Sequence, residues 1–268
     1  MSESNPELAK IVSYMKSHWP SRVKSEWQVD LSEYPKIAQR VLADFTAGKT
    51  TNHHLFRIAG LSGSGKTTQI LPAVEAYCQK NNLDPVLVAA RRFVEYHPHY
   101  QEIRDYYGEE NLRQNTDEFA TIMLFLVLSK LIELGYDIIL DVTLLDPQME
   151  AILLHLLNVN HYQAILLMIA VSPKVTEHFL GSRAWRHTKA TEQEFIRATS
   201  EALKFYASNA PELHIVLWSV YDKDPIYDGP VKDCLEIFTD YSNREDLPAP
   251  DDDVRRAAKT EYLKDRSF

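Results

Sequence analysis

The chain has 268 residues, 45% of them hydrophobic and 25% charged, which suits one sizeable α/β core with appendages rather than two full domains. A formal net charge of −9 argues against a broad nucleic-acid-binding surface and leaves room only for a local basic site. Only Cys78 and Cys234 occur, without metal-ligand spacing. That usage fits a reducing compartment rather than a disulfide framework.

Residues 1–50 are expected to form an N-terminal helical extension of two helices, Pro6 to His18 and Tyr34 to Ala47. A segment containing Trp19 and Trp27 joins them, and core packing is the preferred role for these rings over a partner contact. The first residues, Met1-Ser2-Glu3-Ser4-Asn5, lack the basic-plus-apolar layout of a secretory signal. The longest apolar run, Ile122 to Leu128, is too short to span a bilayer. A cytoplasmic protein without membrane contact is therefore expected.

A short strand, Leu55 to Ala59, leads into Gly60-Leu61-Ser62-Gly63-Ser64-Gly65-Lys66-Thr67-Thr68, a complete G-x-x-x-x-G-K-[ST] phosphate-binding loop. A β,γ-phosphate needs inward-pointing backbone N–H groups, a cation at its bridging oxygens and a hydroxyl for Mg²⁺. Gly60, Gly63 and Gly65 permit the close approach, with Ser62 and Ser64 as loop spacers. Lys66 supplies the cation and Thr67 the metal ligand, Thr68 completes the nucleotide-binding loop, and the helix that begins at Thr67 offers an N-terminal dipole that favours an anion. ATP and Mg²⁺ are the expected ligands. Apolar positions Ile70, Leu71, Val74 and Tyr77 extend the helix to Lys80, with Pro72 inside it as an expected kink.

Further strands are expected at 85–90, 136–140, 163–171 and 214–219, separated by helical stretches. Gly135 caps a helix running from Glu118, Asp146-Pro147 and Ser172-Pro173 start two others, and Thr191-Glu192-Gln193-Glu194 reads as a capping box. The alternation predicts an α/β P-loop NTPase fold of the nucleotide-kinase type, with a five-stranded parallel sheet covered by helices on both faces. The kinase core would occupy 51–243 and a polar C-terminal extension 244–268.

No Asn-Lys-x-Asp guanine motif is present, which argues against a GTPase. Small-molecule P-loop kinases place an acceptor-binding carboxylate at a strand end and arginines in a lid. Asp141 occupies such a strand end, followed by Thr143, and Ser182 to Lys189 carries Arg183 and Arg186. A solvated helix face for the arginines and a helix cap for Asp141 are the structural alternatives. His53-His54 and His97-Pro98-His99 lack a third spaced ligand and are not read as a zinc site. Asp222-Lys223-Asp224-Pro225 reads as a turn or as the adenine edge.

Over roughly residues 52–220 the chain resembles the zeta toxins, the kinase half of bacterial toxin–antitoxin pairs. Besides the phosphate loop, Phe93 to Tyr100 is similar to the family's His-Pro-x-aromatic segment, and Leu134 to Thr143 to its Gly-Tyr, apolar strand, acid-x-Thr element. His161 to Lys174, with Arg183 and Arg186 behind it, resembles the fourth strand and lid. The resemblance implies ATP- and Mg²⁺-dependent phosphorylation of the sugar 3′-hydroxyl of UDP-N-acetylglucosamine or related UDP-sugars, and a small helical antitoxin as partner. It implies catalytic roles for Lys66, Asp141, Arg183 and Arg186, and a substrate pocket of Arg91, His97, Tyr100, Asp141 and Thr143.

Three positions depart from the family pattern. Arg91 stands where members carry an Asp, the presumed base, six residues before the His of His-Pro. Phe125 replaces an acid, and Leu145 an Arg. An arginine cannot accept a proton at neutral pH, so another carboxylate such as Asp141 must act or the protein binds without catalysis. Arg91 and Arg92 could instead grip an acceptor phosphate, which leaves open a kinase for another phosphate-bearing molecule such as NAD, or an ATP-binding pseudokinase.

Overall fold

A computed structural model describes residues 13–14, 21–60, 64–144, 147–170, 172, 189–244, 247, 259–264 and 266. Its sheet has the order β2-β3-β1-β4-β5-β6, formed by β1 (His54–Gly60), β2 (Val86–Val88), β3 (Ile138–Asp141), β4 (Gln163–Ala170), β5 (His214–Ser219) and β6 (Tyr227–Pro230). The first five strands pair in parallel. Continuous burial along β1, β3, β4 and β5 follows from helices covering both sides. The sixth strand adds an antiparallel edge, pairing Leu217 with Tyr227 and His214 with Pro230. Its four residues include Gly229 and Pro230 and carry no alternating apolar pattern, so the sequence reads only five strands.

Helix α1 (Tyr34–Thr46) lies where expected and buries Tyr34, Ile37, Val41 and Phe45. These meet α4 (Glu109–Glu133) and the segment after β2, with Tyr34 against Phe119 and Phe45 against Phe93. Trp27 stands edge-on to Tyr106 and Tyr107 of α3 (Tyr100–Tyr107). Trp19 and most of Pro6 to His18 lie outside the described residues. The stretch between phosphate loop and β2 resolves the expected kink at Pro72. A π-helical turn, Lys66–Ile70, precedes α2 (Leu71–Lys80), so Pro72 falls in a first turn, where its missing N–H costs no hydrogen bond.

Helix α4 begins nine residues before the expected Glu118, at Glu109. Its first two turns carry only Leu112 as an apolar residue, which hides them from a periodicity argument. Gly135 N–H and Tyr136 N–H close its C-terminus on the carbonyls of Ile132 and Leu131. Helix α5 (Pro147–Val159) starts at the predicted proline, and α6 (Lys189–Asn209) starts two residues before the predicted capping box. After α7 (Leu235–Ser242), the short α8 (Thr260–Lys264) packs on α2. There Leu263 is fully buried, and Tyr262 meets Trp218 edge-on at 5.8 Å. Among the described residues no helix is long and apolar enough to cross a membrane.

Strand β1 lies between β3 and β4. The chain leaves β1 for β2 on one side of the sheet, while β4 continues on the other. This order opens a crevice beyond the carboxyl ends of β1 and β3, the place where open α/β sheets take ligands.

Candidate active site

Two glycines shape the floor of the crevice. Gly60 ends β1 at φ 143°, and a Cβ there would stand 2.9 Å from Ser64 Oγ and 3.1 Å from the Ile169 carbonyl oxygen. A side chain there would force Ser64 or the β4 backbone to give way. Gly65, at φ 99°, turns the chain from the loop into the π-helical turn. Ser64 is buried, while Thr67 and Thr68 are exposed at the start of the helix, with Thr68 Oγ1 3.3 Å from the Gly65 carbonyl. Ser62 and Gly63 lie outside the described residues. The glycine cradle and the exposed Thr67 hydroxyl suit a triphosphate with its Mg²⁺.

Lys66 folds over this cradle and donates to the Gly60 carbonyl at 2.7 Å. Burial pushes its amine down to about 8; the Asp141 carboxylate opposes that shift, and Arg113 and Arg91 reinforce it.

Asp141 closes β3 in register with Ile58 of β1, which sets it beside the phosphate loop. Its carboxylate is 4% exposed and accepts from Arg91 Nη1 at 2.6 Å. Arg91 leaves a single turn of 3-10 helix after β2 and keeps 44% of its side chain exposed. Arg92 points elsewhere. It donates to the Leu87 carbonyl and lies over the Phe45 ring, so only Arg91 of the pair reaches the crevice.

His97, expected to bind substrate, is buried with its ring edge-on to Phe119 at 4.6 Å. Its Nδ1 accepts from the His99 N–H, and burial lowers its pKa to about 4, with His99 adding to the shift and Glu102 opposing it. The ring is neutral at pH 7 and packs on Phe119. Since the unfolded value is 6.5, the folded protein resists protonation between those limits. Stability should therefore be complete above pH 6.5 and fall as pH drops toward 4, by up to roughly 3 kcal/mol at one pH unit per 1.36 kcal/mol. Urea unfolding across that range should show the slope, and His97→Gln should flatten it. Tyr100 opens α3, half-buried, with the Arg104 guanidinium 5.6 Å from its ring.

Thr143 is half-buried two residues beyond Asp141, and its carbonyl accepts from Arg57 Nη2 at 3.4 Å. Arg57 sits in the middle of β1 at 3% exposure. It binds both carboxylate oxygens of Glu150 on α5, one at 2.7 Å, and Tyr206 of α6 at 2.9 Å. Burial works against the Arg57 charge, but Glu150 and Tyr206 more than offset it. This buried knot joins the strand that enters the phosphate loop to α5 and α6, while Arg183 and Arg186 lie outside the described residues. An arginine amid apolar strand residues was the visible signal for the knot, because a buried charge requires a partner. Arg113, on α4, belonged to no motif.

Among the described residues no cluster of His, Cys, Asp and Glu could hold a metal ion by itself. Asp222, in the predicted turn, accepts from Ser219 Oγ, and its carbonyl accepts from Lys259 Nζ.

Sequence comparison accords with this arrangement. The zeta toxin family profile matches residues 45–224. Toxin PezT of Streptococcus pneumoniae serotype 4 (strain ATCC BAA-334 / TIGR4) is 29% identical over 147 residues, 54% of this chain and 56% of that toxin. The match thus spans little more than half of that relative. A solved structure from the PezAT chromosomal toxin–antitoxin system of Streptococcus pneumoniae superimposes with a TM-score of 0.65 at 22% identity, covering 83% of this chain and 91% of that one. This likeness establishes the P-loop kinase fold. The crevice with its phosphate loop and strand-end aspartate, and a profile match over more than half of the sequence, lead to one assignment: the chain belongs to the zeta toxin family.

Proposed function

We propose that the protein is an ATP-dependent kinase that phosphorylates the sugar hydroxyl of UDP-N-acetylglucosamine or a related UDP-sugar, and that a small helical antitoxin blocks it in the cell. The convergence of Lys66 and Asp141 on one crevice carries this reading. It puts a cation at the phosphate cradle and a carboxylate beside it.

In this reading the backbone from Gly60 to Thr68 holds the triphosphate, and Lys66 neutralises charge growing on the transferring phosphoryl group, helped by Arg183 or Arg186. Thr67 would hold Mg²⁺, which when bound supplies further charge neutralisation at the phosphates. Asp141 takes the proton of the acceptor hydroxyl, and Thr143 helps orient the acceptor. The acceptor oxygen bonds to the γ-phosphorus as the β–γ bridging P–O bond breaks, leaving ADP. The assignment of the proton to Asp141 follows from Arg91, which holds the position of the family's usual acid and cannot accept one.

The test is mass spectrometry of a mixture of UDP-sugars and NAD after incubation with protein, ATP and Mg²⁺. A single phosphate gained by a UDP-sugar is the expected result. A gain on NAD alone would replace the acceptor. Bound ATP without any phosphorylated product would support the second reading, a nucleotide-binding protein without turnover, which the Arg91–Asp141 contact at 2.6 Å favours. In that case Asp141 is permanently engaged.

A further inference from the structure

The π-helical turn that carries Lys66 and Thr67 is gripped by a residue near the far end of the chain. The Lys259 N–H donates to the Gln69 carbonyl, inside that turn, at 3.2 Å. Gln69 is fully buried, and its own N–H donates to the Gly65 carbonyl at 2.7 Å. Its Cδ lies only 3.2 Å from where a Cβ on Gly65 would stand. Any shift of Gln69 is therefore passed to Gly65, the residue that turns the chain out of the phosphate loop.

The side chain of Lys259 takes a second hold. Its ammonium donates to the Asp222 carbonyl, in the loop that follows β5. That loop is tightly built, with Ser219 Oγ accepting the N–H groups of Tyr221 and Asp222, each at 3.1 Å. It starts one rung beyond the phosphate loop, since Gly60 pairs with Ile169 and Ile169 with Trp218. Gln69 Nε2 meets the Val220 carbonyl of the same loop at 3.5 Å. Lys259 is 3% exposed, and lysines are rarely buried without partners for their charge. Burial pushes its amine down to about 8, against the pull of Asp222 and Asp224. Behind it, Leu263 packs with Ile70, Leu71 and Val74, and Lys80 Nζ donates to the Lys264 carbonyl at 2.6 Å, which anchors α8 along α2.

We propose that Lys259 is a positioning residue for the phosphate loop: it braces the Lys66–Ile70 turn against the loop after β5, and nucleotide affinity depends on that brace. The inference rests on the nucleotide-binding reading above and adds to it a residue that touches no substrate. A phosphate loop works through backbone N–H groups whose directions must be set before the ligand arrives. The glycines that permit its shape also permit others. An outside hold on the adjoining turn removes those others. By linkage, a ligand that needs the braced shape strengthens the brace by the same factor.

The probe is a non-hydrolysable ATP analogue with Mg²⁺, titrated into the full chain. Lys259→Met keeps the apolar stem and the backbone N–H but loses the bond to Asp222. It should weaken analogue binding about tenfold, the loss expected for a charged hydrogen bond. Lys80→Met removes a hold on α8 at the end of α2 remote from the phosphate loop, and should leave affinity within about twofold. In the wild type, exchange of the Lys259 amide hydrogen, which sits in the bond to Gln69, should slow about tenfold when the analogue binds. A contact that only fastens the end of the chain would leave that rate unmoved. Unchanged affinity in Lys259→Met, unchanged exchange in the wild type, or equal losses in the two lysine variants would each overturn the proposal. The exchange measurement needs no substitution, so it decides even if Lys259→Met does not fold. A wild type that fails to bind the analogue would overturn the nucleotide reading and this inference with it, whereas wild-type binding indifferent to Lys259 overturns the inference alone.

Discussion

Lys66→Ala should abolish phosphoryl transfer, lowering kcat by at least about 100-fold, the scale on which loss of one preorganised charge-stabilising group acts in a water-poor site. The ammonium is held against the Gly60 carbonyl at 2.7 Å and feels Asp141 opposite, so it already occupies the volume in which charge would develop. Nucleotide affinity should fall as well. The stability of the protein should not, because removing a partly desolvated charge relieves a cost while the glycine cradle stays intact. Steady-state ADP release, titration of an ATP analogue and thermal unfolding, measured side by side, separate these effects. Turnover in the variant within a few-fold of wild type would show that phosphoryl transfer does not use this loop.

The second large effect concerns folding. Glu150→Ala would leave Arg57 charged and buried on β1 with only Tyr206 and the Thr143 carbonyl as partners. Breaking a buried ion pair from one side costs about 3–5 kcal/mol, a large part of the stability of a domain of this size. Urea unfolding should show this as a drop in midpoint. The triple variant Arg57→Met, Glu150→Leu, Tyr206→Phe should recover most of the loss, since replacing both charges by apolar groups removes the need for pairing. If the triple variant is stable yet nucleotide turnover falls, the knot is retained for position. It ties the entry to the phosphate loop, the Thr143 carbonyl, α5 and α6 together.

Much of the fold was legible because the signals were local. The glycines and lysine of residues 60–66 specify a loop by backbone conformation, and the apolar runs of β3, β4 and β5 specify buried strands by composition. Gly135 and Pro147 marked helix ends through the hydrogen bonds that glycine and proline allow or lack. The misses share a physical cause. Strand β6 pairs through backbone groups that leave no side-chain pattern, and the first two turns of α4 carry Leu112 alone as a buried apolar residue, too little to show a period. The docking of α8 rests on Leu263 and Tyr262, residues distinguishable only by the surface that meets them.

The candidate site divides in the same way. The sequence by itself determined the phosphate loop, the strand-end Asp141 and the presence of an arginine at position 91, because each is a residue type at a fixed spacing along the chain. Only the tertiary structure decided that Arg91 rests on Asp141 while Arg92 turns to Phe45, that His97 packs on Phe119, and that Arg57, Glu150 and Tyr206 close one buried knot. Among these contacts, Arg91–Asp141 and Arg57–Tyr206 join residues 50 and 149 positions apart. Their distances are set by sheet order and helix packing, which no local pattern encodes.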